Sequence, residues 1–277
     1  MASGLLDDFI KTGYNTNMIS VVLATHNEEA NIEKVLLNIK SFADEVIIAD
    51  GESTDKTVQI AKKHGAKVFS VKNHPIFHVN KQRAMDKANG DLVLQLDADE
   101  IVDEELEKFI QKINSPTSHK ISDQPVAWYL KRKNFFLGKF LTKGGQYPDP
   151  VIRLYRNGHA RLPQKSVHEQ MVVDGAVATA DGHLLHYSNP TFSDYMRKWN
   201  TYTSLTATEL QMQHSCINTK LILKFMFWKP MTTFFSLFIR HKGFVDGTAG
   251  FVFALMSGLH FPAALLKFWE STHARSA

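Results

Sequence analysis

The stretch LVLQLDADE, residues 92 to 100, runs the apolar side chains of Leu92, Val93, Leu94 and Leu96 into three acids, Asp97, Asp99 and Glu100. Carboxylates crowded at a strand end repel one another unless a cation, or a ligand carrying one, settles between them. Residues two apart at a strand end point to the same side, so Asp97 and Asp99 could both face one ion. A hard cation such as Mg2+ or Mn2+ takes oxygen ligands from one or two carboxylates and from substrate phosphates. The chemistry on offer is therefore capture of a metal-bound diphosphate. A lone Asp-x-Asp is more often a solvated turn ahead of a helix, here one starting near Asp103. A further acid at a strand end, Asp50, shifts the balance towards a site.

Those acids need elements to position them, and the first 100 residues supply an alternation. Residues 19 to 24 (ISVVLA) form a continuous apolar run, as expected of a strand buried on both faces. Ile32, Val35, Leu36 and Ile39 follow at helical spacing. Residues 46 to 49 predict a second strand ending at Asp50, after which Ser53 or Thr54 is placed to cap a helix with Gly65 just past its end. Residues 66 to 71 predict a third strand, 79 to 88 a short helix, and 92 to 96 the fourth strand. The fold class this implies is α/β, a doubly wound, mostly parallel sheet. Ligands in such sheets bind beyond the carboxyl ends of the strands, where Asp50, Asp97, Asp99 and the turn Thr25–His26–Asn27–Glu28 all fall.

The loop after the first strand, THNEEAN, contains no glycine. It offers neither GxGxxG nor GxxxxGK[ST], which argues against NAD enzymes and ordinary NTPases. The single cysteine, Cys216, excludes an internal disulfide, and no Cys/His zinc spacing occurs. Past residue 125 the pattern changes to shorter strands, expected at 127–132, 151–155, 168–173 and 183–187, with GGQYPDP (144–150) as the clearest turn. A helix rich in Tyr, Trp and Thr follows over 191–213, and then two apolar segments, 225–239 and 247–266. From Lys220 onward seven Lys or Arg stand against Asp246 and Glu270, with ten of the nineteen Phe. A nucleic-acid surface would be basic without being so greasy, so no nucleic-acid partner is expected. Basic, aromatic and apolar together suggest the interface of an anionic membrane, docked through residues 220–270. A monotopic, in-plane helical hairpin is the favoured form, with a span or a soluble cap as alternatives.

In order and spacing, SVVLATHNEEANIEKVL, DEVIIADGESTDKTVQIAKKHGAKV and ANGDLVLQLDADE resemble the family 2 glycosyltransferases of GT-A fold over about residues 18 to 105. RKNFFLGKFLTKGGQYPDPVIRLYRNG, VHE and LLHYS look like a narrower branch, the lipopolysaccharide core β-glucosyltransferases of bacterial inner membranes. ADGESTD departs from that branch's more usual DSGSTD. With the residue pattern, this divides the chain into an expected leader over 1–17, a catalytic domain over 18–215 with a nucleotide-sugar half (18–105) and an acceptor half (125–190), and a membrane-associating tail over 216–277.

It also implies roles. Thr25 and Glu28 would line the nucleotide pocket and Asp50 would accept from the base ring NH of uracil. Asp97 would sit near ribose and metal, Asp99 would be the principal ligand of Mn2+ or Mg2+, and Lys81 and Arg83 could reach the diphosphate. His186 or His168 could be a further metal ligand, although for any one of the 13 histidines a structural role is the commoner fate. The acceptor hydroxyl needs a base. Glu169 is favoured because it follows the strand bearing Arg153 and Arg156; Asp149 is the alternative, as base or as acceptor-binding residue. The expected reaction is inverting transfer of a hexose, glucose foremost, from a UDP-sugar to a lipopolysaccharide core or other glycolipid acceptor at the cytoplasmic face of the inner membrane. A polyprenyl-phosphate acceptor, a sugar-1-phosphate nucleotidyltransferase and a non-catalytic membrane-peripheral module are the alternatives. The glycine-free THNEEAN loop argues against the nucleotidyltransferase, and the intact acids against the module.

Overall fold

The computed structural model describes residues 15–115, 124–164, 170–214 and 216–273. The chain divides into two compact units, residues 1–132 with 150–186 and residues 133–149 with 187–277.

The first unit opens with the alternation that the apolar runs predict. In order these are β1 (Asn15–Thr25), α1 (Ile32–Ile39), β2 (Glu45–Asp50), α2 (Thr57–Lys63), β3 (Lys67–Ser70), α3 (Phe77–Met85), β4 (Gly90–Leu96), β5 (Glu100–Val102) and α4 (Glu104–Ile113). Along the chain then come β6 (Ala127–Phe136), β7 (Lys139–Phe140, in the second unit), β8 (Asp149–Arg156), β9 (Ala160–Arg161), β10 (Val172–Val173) and β11 (Val177–His186). The main sheet runs β3-β2-β1-β4-β8-β6-β11-β5, with β7 paired to the end of β6. β3, β2, β1 and β4 are parallel, while β8 joins β4 and β11 joins β5 antiparallel. Of the strand expected over 168–173, residues 168 and 169 lie outside the described residues, and among the others Val172–Val173 form β10, which pairs with β9 in a separate two-stranded sheet.

Period-2 alternation sorts the strand side chains onto two covered faces. Ile19, Val21, Leu23, Leu92, Leu94 and Leu96 pack with Ile32, Val35, Ile39, Leu106 and Ile110 of α1 and α4. Val22, Ile47, Ala49 and Val93 pack on the opposite side with Ala84 and Met85 of α3. Each fully buried Leu or Ile contributes roughly 1.5–3 kcal/mol of transfer free energy. Two local expectations change. Neither Ser53 nor Thr54 caps α2; its N-cap is Lys56, which makes no side-chain cap bond, and Asp55 just before it accepts on Oδ1 from Thr57 N at 2.9 Å and Thr57 Oγ1 at 2.5 Å. The helix expected over 79–88 begins two residues earlier and ends at Met85.

The second unit holds β7 and the helices α5 (Phe192–Gln213), α6 (Thr219–Leu223), α7 (Lys229–Phe235) and α8 (Gly247–His273). α5 starts where the Thr191 hydroxyl accepts from Asp194 N, an N-cap bond that satisfies an otherwise unpaired amide. Phe136 and Leu141 pack with Tyr195 and Ala249, so the 133–149 segment shares a core with the C-terminal helices.

Candidate functional site

Parallel pairing of β1 with β2 sets Thr25 opposite Asp50 at the carboxyl end of the sheet. There Thr25 Oγ1 donates to Asp50 Oδ1 at 3.0 Å, Ser53 Oγ donates to the same oxygen at 2.6 Å, and Ser53 N donates to Oδ2 at 2.9 Å. Asp50 is buried to 3% exposure. The glycine-free loop after β1 holds its shape through reciprocal bonds to the loop after β2. Asn27 Oδ1 accepts from Thr54 N, Asn27 N donates to Ser53 Oγ, Glu28 N to Thr57 Oγ1 and Glu29 N to Asp55 Oδ2. The Glu28 carboxylate accepts from Asn31 Nδ2 at 2.9 Å. Asn27 takes the left-handed backbone at φ 55°, which Asn tolerates better than most residues.

Asp97 and Asp99 take different partners. β4 ends at Leu96, and residues 97–99 form a turn in which Asp97 N donates to Glu100 Oε2 at 2.9 Å. The same-side geometry expected of an extended strand therefore does not apply. The Asp97 carboxylate is gripped by Lys81 Nζ on one oxygen and by Arg153 Nη2 at 2.7 Å on the other. Arg153 also donates to Gln95 Oε1 and stands 3.5 Å from Glu100, which is fully buried and has Arg132 at the same distance. Burial alone would push the Asp97 carboxyl up; Arg153 and Lys81 beside it outweigh that and hold it below the usual carboxylate range. Burial pulls the Lys81 ammonium down, against the attraction of Asp97.

α3 separates its two basic candidates. Lys81 lies on the inward face with His78, Ala84 and Met85. Arg83, two residues on, turns outward, is exposed, and donates to Asn80 Oδ1 at 3.2 Å.

β11 brings in the remaining partner. Gly182, at φ +81°, runs so close to the first turn of α4 that a Cβ would strike Leu106 N. Beside it, Asp103 caps α4 and accepts from His183 N at 2.9 Å. These contacts fix the register of β11 on β5, pairing His186 with Glu100. His186 Nε2 consequently lies 3.5 Å from Asp99 Oδ2, both side chains being partly exposed.

Among the described residues no group of three His, Cys, Asp or Glu is gathered as a metal site. Asp99 and His186 offer one carboxylate and one imidazole, a donor pair that suits Mn2+ or Mg2+ when substrate oxygens complete the octahedron. Glu169 and His168 lie outside the described residues. Asp149, in the second unit, accepts from Asn134 Nδ2 at 3.1 Å. Arg153 is the residue whose role the sequence did not yield. It was visible only as part of a strand signature, because its partners lie 56 and 58 positions away in the chain.

A family model described as glycosyl transferase family 2 matches residues 20–171. The chain belongs to that family. An uncharacterized glycosyltransferase of Rickettsia typhi is 32% identical over 244 residues, covering 84% of this chain and 80% of that protein. Another from Rickettsia conorii is 28% identical over 273 residues, covering 93% and 92%. Glucosyl-3-phosphoglycerate synthase of Mycobacterium tuberculosis, solved with Mn2+, UDP and glucosyl-3-phosphoglycerate, is 20% identical over 73% of this chain and 81% of that one, with a TM-score of 0.41.

Proposed function

We propose that this family 2 transferase moves a hexosyl group, glucose foremost, from a UDP-sugar to a lipid-borne saccharide such as a lipopolysaccharide core, with inversion, at the cytoplasmic face of the inner membrane. The observation that carries the donor half is the meeting of Asp99 and His186 beside an Asp97 already neutralised by Lys81 and Arg153. The Asp99 carboxylate and the His186 imidazole, 3.5 Å apart, are the donors that would hold a divalent cation. When bound, Mn2+ or Mg2+ would act as a Lewis acid on the leaving diphosphate.

The chain's own residues do the rest. Thr25 and Asp50 form the floor against which a uracil ring is recognised, and Glu28 and Lys81 flank the nucleotide. Arg83, exposed on α3, is free to swing to phosphate oxygens. Glu169 is assigned as the base. It takes the acceptor hydroxyl proton while the new C–O bond forms at the anomeric carbon and the bond to the diphosphate oxygen breaks, releasing UDP. His168 orients the acceptor beside it, and Asp149 is the alternative base or an acceptor contact. The apolar C-terminal segments support the lipid-borne acceptor, since Thr219–Arg240 and Gly243–Thr272 are each long and apolar enough to cross a membrane.

The test is a calorimetric titration of UDP with and without Mn2+, on the wild type, Asp99→Ala and His186→Ala. Metal-enhanced binding that both substitutions abolish is the expected result. Binding indifferent to metal would sink the metal-dependent reading, and no binding would favour a non-catalytic module. Transfer from UDP-glucose to polyprenyl phosphate, but not to a glycolipid core, would move the acceptor assignment.

A further inference from the structure

We infer that residues 219–273 form a hairpin lying in the plane of a single leaflet of an anionic membrane, and that two π-helical segments keep its apolar stripe in phase. This deepens the membrane reading above and rests on it. The first arm consists of α6, a π-helical segment Lys224–Trp228, α7 and a second π-helical segment Ser236–Arg240. Its exposed apolar side chains Leu223, Phe227, Met231, Phe235 and Ile239 recur at every fourth residue, with Trp228 alongside at 70% exposure. An α-helix turns by about 100° per residue, so over that interval Leu223 and Ile239 would end about 160° apart, on nearly opposite sides. A π-helix, at roughly 4.4 residues per turn, turns by only about 82° per residue. With both π segments the same interval comes within about 20° of four full turns. The stripe therefore runs straight along the arm, as a flat surface requires.

The second arm, α8, exposes Phe251, Leu255, Leu259, Leu266 and Trp269. Phe251 and Trp269 are separated by about five α-helical turns, so plain helical geometry keeps this row on one face. Phe251 packs its ring on Phe234 and Phe238 of the first arm, which joins the two rows. The arms approach so closely that a Cβ on Gly258 would lie 2.8 Å from Pro230 O.

Charge complementarity names the occupant. Lys220, Lys224, Lys229, Arg240, Lys242 and Lys267 fall in this segment against two acids. Of these, Asp246 is buried and accepts from the Thr142 and Lys143 amides, leaving Glu270 exposed. Cations at both ends of an apolar face suit anionic headgroups. Each arm is long and apolar enough to cross a bilayer, so length does not choose between lying and spanning. The backing of α8 does. Trp199 Nε1 of α5 donates to Met256 O at 2.9 Å, Thr206 Oγ1 meets His260 Nε2 at 2.9 Å, and Lys267 Nζ donates to Thr203 Oγ1 at 2.7 Å. α5 also exposes Arg197, Lys198 and Glu209. A spanning α8 would drag this charged helix into hydrocarbon, whereas an in-plane hairpin leaves it in water.

The test uses the full chain with its exposed Cys216 replaced (Cys216→Ser) and one cysteine introduced as Leu223→Cys, Met231→Cys, Ile239→Cys or, on α5, Glu209→Cys. Each is labelled with an environment-sensitive fluorophore and mixed with vesicles of phosphatidylglycerol and phosphatidylcholine, or of phosphatidylcholine alone. The expected result is a blue shift at 223, 231 and 239 with anionic vesicles, none at 209, and equal quenching of the three by shallow spin-labelled lipid. Weaker quenching at 231 than at 223 and 239, the depth profile of an arm that crosses the bilayer, would replace the in-plane hairpin with a span. Shifts without lipid that depend on protein concentration would assign the face to a second copy, and no shift under any condition would overturn the docking. Deleting Met226, which takes one residue out of the first π segment, should silence the label at 223 while sparing 231 and 239; an unchanged response there would refute the phasing. UDP binding in the same samples reports the donor site separately, so failure of the membrane reading and failure of the donor reading are told apart.

Discussion

In the first unit the buried charges Glu45, Glu100 and Arg153 and the partly exposed Asp97 are each held by named partners. In the second unit rows of Phe, Trp, Leu and Ile stand exposed on helices whose other sides are packed. The contrast follows from what each surface costs. A buried charge without a partner loses its hydration outright, so the first unit must provide partners within the fold. Exposed apolar rows leave no polar group unpaired, and the hydration cost they carry in water is relieved when they meet an apolar medium, so the second unit can leave them for something outside the chain. The nucleotide-side rim is therefore a network that substitution should collapse, and the C-terminal face is a surface that substitution should leave folded but idle.

The sharpest way to break that contrast is Arg153→Met. It removes the guanidinium that Asp97, Gln95 and Glu100 share, leaving Asp97 to Lys81 and Glu100 to Arg132, and a loss of about 3–5 kcal/mol in urea unfolding is expected, the scale of removing one partner from a buried ion pair. Arg153→Lys should recover only part, because a single ammonium cannot reproduce the guanidinium fork. Asp99→Ala should leave stability near the wild type and lower the transfer rate by on the order of 10²-fold or more, the scale of losing one electrostatic contact to developing charge. A large stability loss in this variant would show that Asp99 belongs to the structural network after all.

Glu45 offers a smaller, pH-dependent test. Burial raises its carboxyl, but bonds from Ser20, Lys67 and Asn89 together draw it down to about 2 from 4.5. As pH falls through 4.5 the unfolded chain takes up the proton first, so this contribution is present above that value and is lost as pH falls towards about 2. Glu45→Gln should cost about 1–2 kcal/mol near neutral pH. The gap from wild type in urea midpoint should narrow as the solution is acidified; a gap that widens would overturn the assignment. The smallest effect on folding is expected from Trp228→Ser, within about 0.5 kcal/mol, while flotation with anionic vesicles falls.

Much of this was legible in the chain. The apolar runs before Asp50 and Asp97 specified buried parallel strands because only a strand covered on both faces tolerates them, and β2 and β4 formed where those runs lie. The helix expected over 191–213 formed as α5, since Thr191 supplies an N-cap ahead of it. Gly65 marked the end of α2 through its left-handed φ of 82°. The turn at 97–99 was misread because a strand's period was carried one residue past where the ladder ends.

By itself, the sequence determined the alternation of elements, the acids at their ends, the absence of a phosphate-binding glycine loop and the greasy, basic character of the last third. These are local, carried by period, composition and caps. The tertiary structure alone decided that Lys81 and Arg153 share Asp97, that β11 delivers His186 to Asp99, and that two π-helical segments straighten the stripe from Leu223 to Ile239. Each depends on register between segments far apart in the chain, or on a helical pitch that only packing selects, and neither is written in the spacing of neighbouring residues.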